Sequence, residues 1–410
     1  MVISCPTPRT LLSERSSAGR PIHFWSVRVE TEQPTDTLHV CYLLCYGTPD
    51  YTRTASLLNA LELVPGIRLD RLVNKRRGVL RYVEMLWQIL LYRIRCRPDV
   101  WVLGFRGQES FMLFYPFMRG SRIIFNEFVI LQNWANEGDR KHSVFLTPLM
   151  PVLRRYMRWI INRCDVVLED SVAHQQAARA IYQVVPEKFV AIPVGADETV
   201  FEPVPMHTHT DSPMEVFFYG TMLPLHGLET ILQAVKLVLE QQRKRVHFTI
   251  VGGSNNKHSL ARIESFLSEH KLLSDVRHLP WVPYLELPAY IAKSDVCLGG
   301  PFGDTAQAAS VITGKTYQFL AMGKPTIVSM LDETDFFQDR VNLLVCQRGE
   351  ASALAQAILW CLHNRELLPE IGKQGRELFE ERFSAPRLAQ LLTPLLTDSA
   401  GQSDYFSSRT

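Results

Sequence analysis

From Leu38 onward the chain alternates short apolar runs with segments whose apolar residues recur at three- and four-residue spacing. The runs "LHVCYLLCY" (38–46), "IRLDRLV" (67–73), "DVWVLGF" (99–105), "RIIFNEF" (122–128), "DVVLED" (165–170) and "KFVAIPV" (188–194) predict strands. Between them, 53–64, 78–96, 142–164 and 171–184 predict amphipathic helices. This alternation predicts a parallel sheet covered on both faces. Residues 1–36 carry no such period and predict a loosely ordered segment rich in Ser, Thr, Pro and Arg.

The pattern stops again at "GADETVFEPVPMHTHTDSPM" (195–214), where Gly, Pro and polar residues predict an interdomain linker. His207 and His209 within it form an H-x-H pair with no further ligands nearby, and they read as solvated linker. Alternation resumes with "EVFFYGT", "VHFTIVGG", "VRHLPWV", "DVCLGG", "PTIVS" and "NLLVC" as strands. Helices are predicted to start near 226, 257, 285, 315 and 350, and two more (365–383 and 386–396) close the chain.

The expected fold class is α/β, with two doubly wound, Rossmann-like parallel-sheet domains facing a cleft. The N-terminal domain spans 37–194 and the C-terminal domain 215–385. A closing helix (386–398) is expected to pack back towards the N-terminal domain, ahead of a flexible tail (399–410). In such sheets ligands bind beyond the carboxyl ends of the strands.

Composition narrows this picture. Apolar residues make up 46% of the 410 positions, ample for two cores, and the formal net charge of +2 argues against bulk nucleic-acid binding. The charge is uneven: residues 1–205 hold 25 Lys and Arg against 20 Asp and Glu, whereas 206–410 hold 19 against 22. The eight cysteines form no framework, and several sit in apolar strand runs, which fits a reducing compartment. Cys41 and Cys45 are spaced C-x3-C with no second pair, too little for a metal site. Neither a secretory signal nor an apolar stretch long enough to span a membrane is visible, so a cytoplasmic location is expected.

Two strand-to-helix junctions of the second half carry the candidate chemistry. In "FFYGTMLPLHGLETILQAV", Gly220 lets the backbone turn, and Gly227 follows His226 just before a helix. The N–H groups at such a helix start form an anion site. In "SVITGKTYQFLAMGKPTIVS", Lys315 falls in a helix's first turn, where the macrodipole disfavours a cation by about 0.3–1 kcal/mol. Phe302, Gly303 and Asp304 lie in the loop before it. If both loops share one sheet edge, His226, Lys315 and two helix N-termini converge on an anion, and a diphosphate would offset the unfavourable placement of Lys315. Taken singly, the Lys reads equally well as a solvated surface residue and the His as a capping or packing group. Gly-x-Gly-x-x-Gly and the phosphate-loop pattern are absent, which disfavours dinucleotide oxidoreductases and P-loop nucleotidases. Asp-x-Asp is absent as well, so no metal is expected on the diphosphate.

At these residues the sequence resembles family 4 retaining glycosyltransferases, which have the GT-B fold. The resemblance runs in order through "FYGTMLPLHG", "VGG", "WVPYLELPAYIAKSDVCLGG", "FG", "KTYQFLAMGKPTI" and "NLLV", and extends to "VVLEDS" and "IPVGADETVF". It implies a nucleotide-diphosphate sugar bound mainly by the C-terminal domain, transfer with retention at the anomeric carbon, and no cofactor. The Arg and Lys that hold the diphosphate in the family are Thr221 and His226 here. The family's two motif glutamates are Ser310 and Gln318, and Gln318 is expected to reach ribose hydroxyls through its amide. Lys315 is then the best remaining cation. Base recognition is expected from backbone groups near Trp281 and Val282.

On the acceptor side, "CYGTPDYTRTASLLNAL" is expected to face the donor with Arg53 as a candidate second cation, and Asn126 and Glu127 of "FNEF" are candidate acceptor contacts. "RYVEMLWQILLYRIRCR" (81–97) and "LRRYMRWIINR" (153–163) are basic, aromatic and amphipathic. They fit either core helices with solvated basic faces or peripheral contact with an anionic membrane, where a glycan or lipid-linked acceptor would be met. Two other readings stand beside the transferase: a GT-B nucleotide-sugar epimerase or hydrolase, and a catalytically silent GT-B scaffold at a membrane.

Overall fold

The computed structural model describes residues 37–127, 147–184, 186–205, 212–254, 256–332 and 334–397. The first six strands are β1 (Leu38–Leu44), β2 (Ile67–Val73), β3 (Val100–Leu103), β4 (Arg122–Asn126), β5 (Val166–Glu169) and β6 (Phe189–Ala191). They form one parallel sheet in the order β2-β1-β3-β4-β5-β6. Helices α1 (Thr52–Glu62), α2 (Leu80–Arg95), α3 (Phe111–Met118), α4 (Met150–Ile161) and α5 (Val172–Tyr182) connect them. The central strands are apolar on both faces because both faces are covered. The edge strand β2 instead exposes Arg68 and Arg71, which discourages pairing with another chain.

The second sheet contains β7 (Met214–Gly220), β8 (Val246–Gly252), β9 (Val276–Leu279), β10 (Val296–Leu298), β11 (Thr326–Ser329) and β12 (Leu344–Cys346). Its order is β12-β11-β10-β7-β8-β9, again all parallel. Its helices are α6 (Leu228–Gln242), α7 (Lys257–Glu269), α8 (Leu287–Lys293), α9 (Ala306–Ser310), α10 (Gly314–Ala321), α11 (Ala351–His363) and α12 (Leu368–Arg382). Strand order reverses between β1 and β3 in the first sheet and between β7 and β10 in the second, which places a crevice at each of those points.

Each sheet separates two cores. Phe111, Phe114, Trp101 and Ile160 lie on one side of the first sheet, and Leu57, Leu61 and Val102 on the other. The last helix, α13 (Ala385–Thr397), returns to the first domain, where Leu388 and Leu392 pack beside Leu57 and Leu61 of α1. Burial of each such leucine contributes about 1.5–3 kcal/mol. The chain therefore crosses between domains twice.

The twelve strands fall within or beside the predicted runs, mostly trimmed at their polar ends. Helix α3 was not foreseen: "FMLFYPFM" is apolar all round and contains Pro116, so it offers no amphipathic period. The short α9 gives no signal because five residues are too few to show a period. Of the predicted 142–164 helix, 150–161 is observed, and 142–146 lies outside the described residues, as do His207 and His209.

Candidate functional site

The loops after β7 and β10 meet at the switch point of the second sheet. Gly227 has φ +69°, and a Cβ there would overlap the Phe302 carbonyl carbon and the Gly303 nitrogen. The Gly303 N–H donates to the Leu225 carbonyl at 3.0 Å. Gly220 similarly leaves room for the His226 ring, whose Nδ1 would lie 2.9 Å from a Cβ at that position. Only glycine permits this close backbone approach together with the left-handed turn at Gly227. Phe302 is buried beneath the junction.

Two helices begin here without side-chain caps. Gly227 precedes α6, and Thr313 precedes α10. The Thr313 hydroxyl donates to the Gly299 carbonyl at 2.6 Å, so it closes the segment after β10 on itself and leaves the α10 N–H groups uncapped. Both helix starts therefore offer N–H donors and positive dipole ends.

Lys315 lies in the first turn of α10 and is only 5% exposed. Its Nζ sits 5.2 Å above the centre of the Phe218 ring and has no ion pair or hydrogen bond among the described residues. Burial pushes its pKa down from 10.5 to about 7. A cation–π contact contributes about 1–2 kcal/mol, less than the several kcal/mol that burying an unpaired charge costs. The balance leaves a lysine that gains strongly from an anion supplied from outside. His226 is half-buried beside it, and burial together with the Lys315 charge holds its pKa well below the ordinary histidine value. The imidazole is therefore neutral, a hydrogen-bonding group and not a second cation, and its buried Nδ1 has no partner among the described residues.

The remaining predicted residues distribute around this point. Thr221 is exposed beyond the end of β7, and Val282 is buried in the core between the sheet and α8 while Trp281 is exposed. Asp304 is exposed and packs near Gly349, on the outer side of its loop. Ser310 lines a cavity of about 710 Å³ between the domains, together with Asp170, Ile312, Tyr317 and Phe383. Gln318 corrects an expectation. It is 1% exposed, its Oε1 accepts from the Tyr219 hydroxyl, and its Nε2 donates to Thr52 Oγ1 at 3.3 Å. Its amide bridges the domains and is not turned toward a ribose.

The first domain's wall of the cleft also departs from expectation. Arg53 is fully buried, and its guanidinium donates to Asn126 Oδ1 at 3.0 Å and to the carbonyls of Ile192 and Pro193 at 2.6 Å each. Its donors are taken up by the ends of β4 and the segment after β6, so it does not serve as a second cation for a diphosphate. Asn126 is buried with it. Glu127 is 1% exposed and accepts from the Tyr182 hydroxyl at 2.7 Å, so neither residue offers an open contact to an acceptor.

Sequence reasoning missed what Glu127 faces. Glu169 closes β5 beside it, fully buried, and Asp170 follows with His174 Nδ1 at 2.5 Å. Burial pushes the Glu127 pKa up to about 7, and burial with the nearby Glu127 and Asp170 charges raises Glu169 well above the ordinary carboxylate value. Like charges so close disfavour ionising both carboxyl groups at once. The signal for this cluster was the pair of carboxylates ending the apolar run "DVVLED", with a histidine four residues on. Among the described residues no grouping of His, Cys, Asp and Glu could hold a metal ion. No helix among them is long and apolar enough to cross a membrane.

The fold recurs in known structures. The chain superposes on Anabaena Alr3699/HepE in complex with UDP and glucose with a TM-score of 0.65 at 13% identity, over 88% of this chain and 99% of that one. Sucrose-phosphate synthase from Thermosynechococcus elongatus gives 0.65 at 16% identity, over 87% and 98%. A glycosyltransferase from Rickettsia africae gives 0.62 at 10% identity, over 89% and 100%. A search of the curated proteins returns no match. Residues 213–364, which contain the two loops, Lys315 and Gln318, match the family model "Glycosyl transferases group 1", and the two-domain architecture as a whole is the GT-B fold.

Proposed function

We propose that this protein is a glycosyltransferase that moves a sugar from a nucleotide-diphosphate donor to a glycan or lipid-linked acceptor, with retention at the anomeric carbon. One observation carries the donor half: Lys315, buried without a counter-charge among the described residues, stands beside neutral His226 where two uncapped helices start. That set of donors suits a diphosphate. The match of residues 213–364 and the UDP and UDP-glucose complexes of Alr3699/HepE make UDP-sugars the first donors to test.

The chemistry follows from charge. As the bond from the anomeric carbon to the β-phosphate oxygen breaks, its electron pair passes to the departing nucleoside diphosphate. Lys315, the His226 ring and the helix N–H groups stabilise that charge, and removing one such donor lowers the rate by about 10²–10³. The acceptor hydroxyl attacks the same face, forms the new carbon–oxygen bond and gives its proton to the departing phosphate. No protein nucleophile is invoked. Retention rests on the resemblance to family 4.

The basic helices divide on the membrane question. On α4, Trp159 packs against Phe111, Tyr115 and Tyr156, and Arg158 donates to the Tyr182 carbonyl, so its aromatic face belongs to the core. On α2, Trp87 is 61% exposed, which supports peripheral contact through that helix.

Thermal-shift measurements with UDP-, GDP- and ADP-sugars test the donor reading. Stabilisation by one nucleotide, lost in Lys315→Met, is expected. A chain that binds no nucleotide is the silent scaffold, and one that consumes donor without any acceptor is the hydrolase or epimerase.

A further inference from the structure

A second cluster lies at the switch point of the first sheet, and the donor site makes no use of it. Tyr46 and Phe105 follow β1 and β3 with ring centroids 6.0 Å apart, and Tyr51 packs on Phe105 at 4.7 Å. Two guanidinium groups lie on the same Tyr46 ring, Arg81 at 4.3 Å and Arg106 at 3.9 Å from its centre. Arg106 takes a left-handed backbone, φ 56°, a conformation that costs energy in any residue with a side chain. It pairs with Glu109, whereas Arg81 has no ion pair among the described residues and buries an Nε without a partner. Lys75, Arg76 and Arg77 stand exposed just ahead of α2, and Glu84 fixes their loop by accepting from the Lys75 and Arg76 N–H groups at 3.1 and 2.8 Å. Five cations thus face two carboxylates.

The same loop that carries Tyr46 ends at Thr52, which is bonded to Gln318 three residues from Lys315. The cluster itself lies beyond the carboxyl ends of β1 and β3, the edge at which such sheets bind ligands. From it runs α2, whose Leu80, Val83, Trp87, Leu91 and Ile94 form an exposed apolar stripe at three- and four-residue spacing. Exposure reaches 74% at Ile94, and Arg93 and Arg95 occupy the last turn. An apolar stripe bordered by arginines complements an anionic bilayer surface in both its hydrophobic and its charged parts.

We infer that the acceptor is a lipid-anchored glycan phosphate, its phosphate bound by Arg81 and Arg106 over Tyr46 and a sugar hydroxyl left free to attack, while the apolar face of α2 rests on the bilayer. The inference rests on the glycosyltransferase reading for the word acceptor, but its geometry is separate from the donor site. Guanidinium groups present paired N–H donors that match phosphate oxygens. Stacking on one ring holds both in place and limits the entropy lost on binding.

Co-sedimentation with phosphatidylcholine–phosphatidylglycerol vesicles, with and without polyprenyl phosphate, tests this. Polyprenyl phosphate is expected to tighten binding of the intact protein about tenfold or more. Arg81→Gln/Arg106→Gln should keep binding to the plain anionic vesicles and lose that gain, whereas Trp87→Ser/Ile94→Ser should weaken binding to both. Thermal stabilisation by UDP, measured in parallel, should persist in both variants and certifies their fold. If UDP stabilises no variant and not the parent protein either, the donor reading fails while the vesicle result stands or falls by itself. The inference is overturned if polyprenyl phosphate adds nothing, or if its gain survives Arg81→Gln/Arg106→Gln. It is overturned equally if free glucose 6-phosphate binds as tightly as the vesicle-held phosphate, or if the α2 stripe proves to be covered by a second copy in a dimer that vesicles do not dissolve.

Discussion

Gln318 of the second domain donates through Nε2 to Thr52 Oγ1 of the first, 266 residues away in sequence and 3.3 Å away in space. Its Oε1 accepts from the Tyr219 hydroxyl, so one buried amide joins β7, α10 and α1 across the cleft. The domains are held together at the very helix whose first turn carries Lys315.

Replacing this amide should loosen the cleft. Gln318→Leu leaves the half-buried Tyr219 hydroxyl without its acceptor, at a cost of about 1–3 kcal/mol. Denaturant unfolding reads that loss, and small-angle scattering should show a larger radius of gyration. An unchanged unfolding midpoint would mean that the bridge contributes nothing.

Lys315→Met should raise stability and abolish nucleotide binding together. Removing a buried, unpaired charge is expected to stabilise the unliganded fold by about 1–3 kcal/mol. The variant should melt higher than the parent and gain nothing from UDP. A lower melting temperature would show that the ammonium has a partner within the protein.

Nucleotide affinity should fall as pH rises above about 7, because the free protein loses the Lys315 proton there and the diphosphate binds the protonated form. Calorimetry near that pH should show proton uptake on binding, visible as a heat that depends on the buffer. The linked stability has the opposite sense. The folded state holds fewer protons than the unfolded chain between about 7 and 10.5, so this residue's contribution to stability improves as pH climbs through that window.

Glu127→Gln separates the two acidic neighbours by charge. Glu127 has its pKa raised from 4.5 to about 7, so the folded state binds the extra proton and its contribution to stability is lost as pH rises through that interval. The amide variant should show a smaller decline in melting temperature across the same interval. An identical pH profile would mean that Glu127 does not carry the raised pKa.

Gly227→Ala should displace the loop at Phe302. The left-handed turn alone costs about 1–2 kcal/mol for a residue with a Cβ, and the methyl would also overlap the Phe302 carbonyl carbon. A reduced melting temperature with loss of UDP stabilisation is expected, whereas Gly323→Ala, with φ +69° but no close neighbour, should cost only the turn.

The sequence by itself determined the two sheets, because alternation of apolar runs with helical periods is a local property that survives without knowledge of partners. It also singled out Lys315, whose charge conflicts with its own helix end, and the glycines that only close backbone approach explains. What the tertiary structure decided was which polar groups are already satisfied. Arg53 and Gln318 carry the right chemistry for a diphosphate and a ribose, yet Arg53 spends its donors on carbonyls more than a hundred residues away and Gln318 spends its amide on Tyr219 and Thr52. Glu127 became one of two buried carboxyl groups with raised pKa only when β5 brought Glu169 beside it. Hydrogen-bond capacity is finite, and its allotment is set by long-range packing, which no local pattern along the chain records.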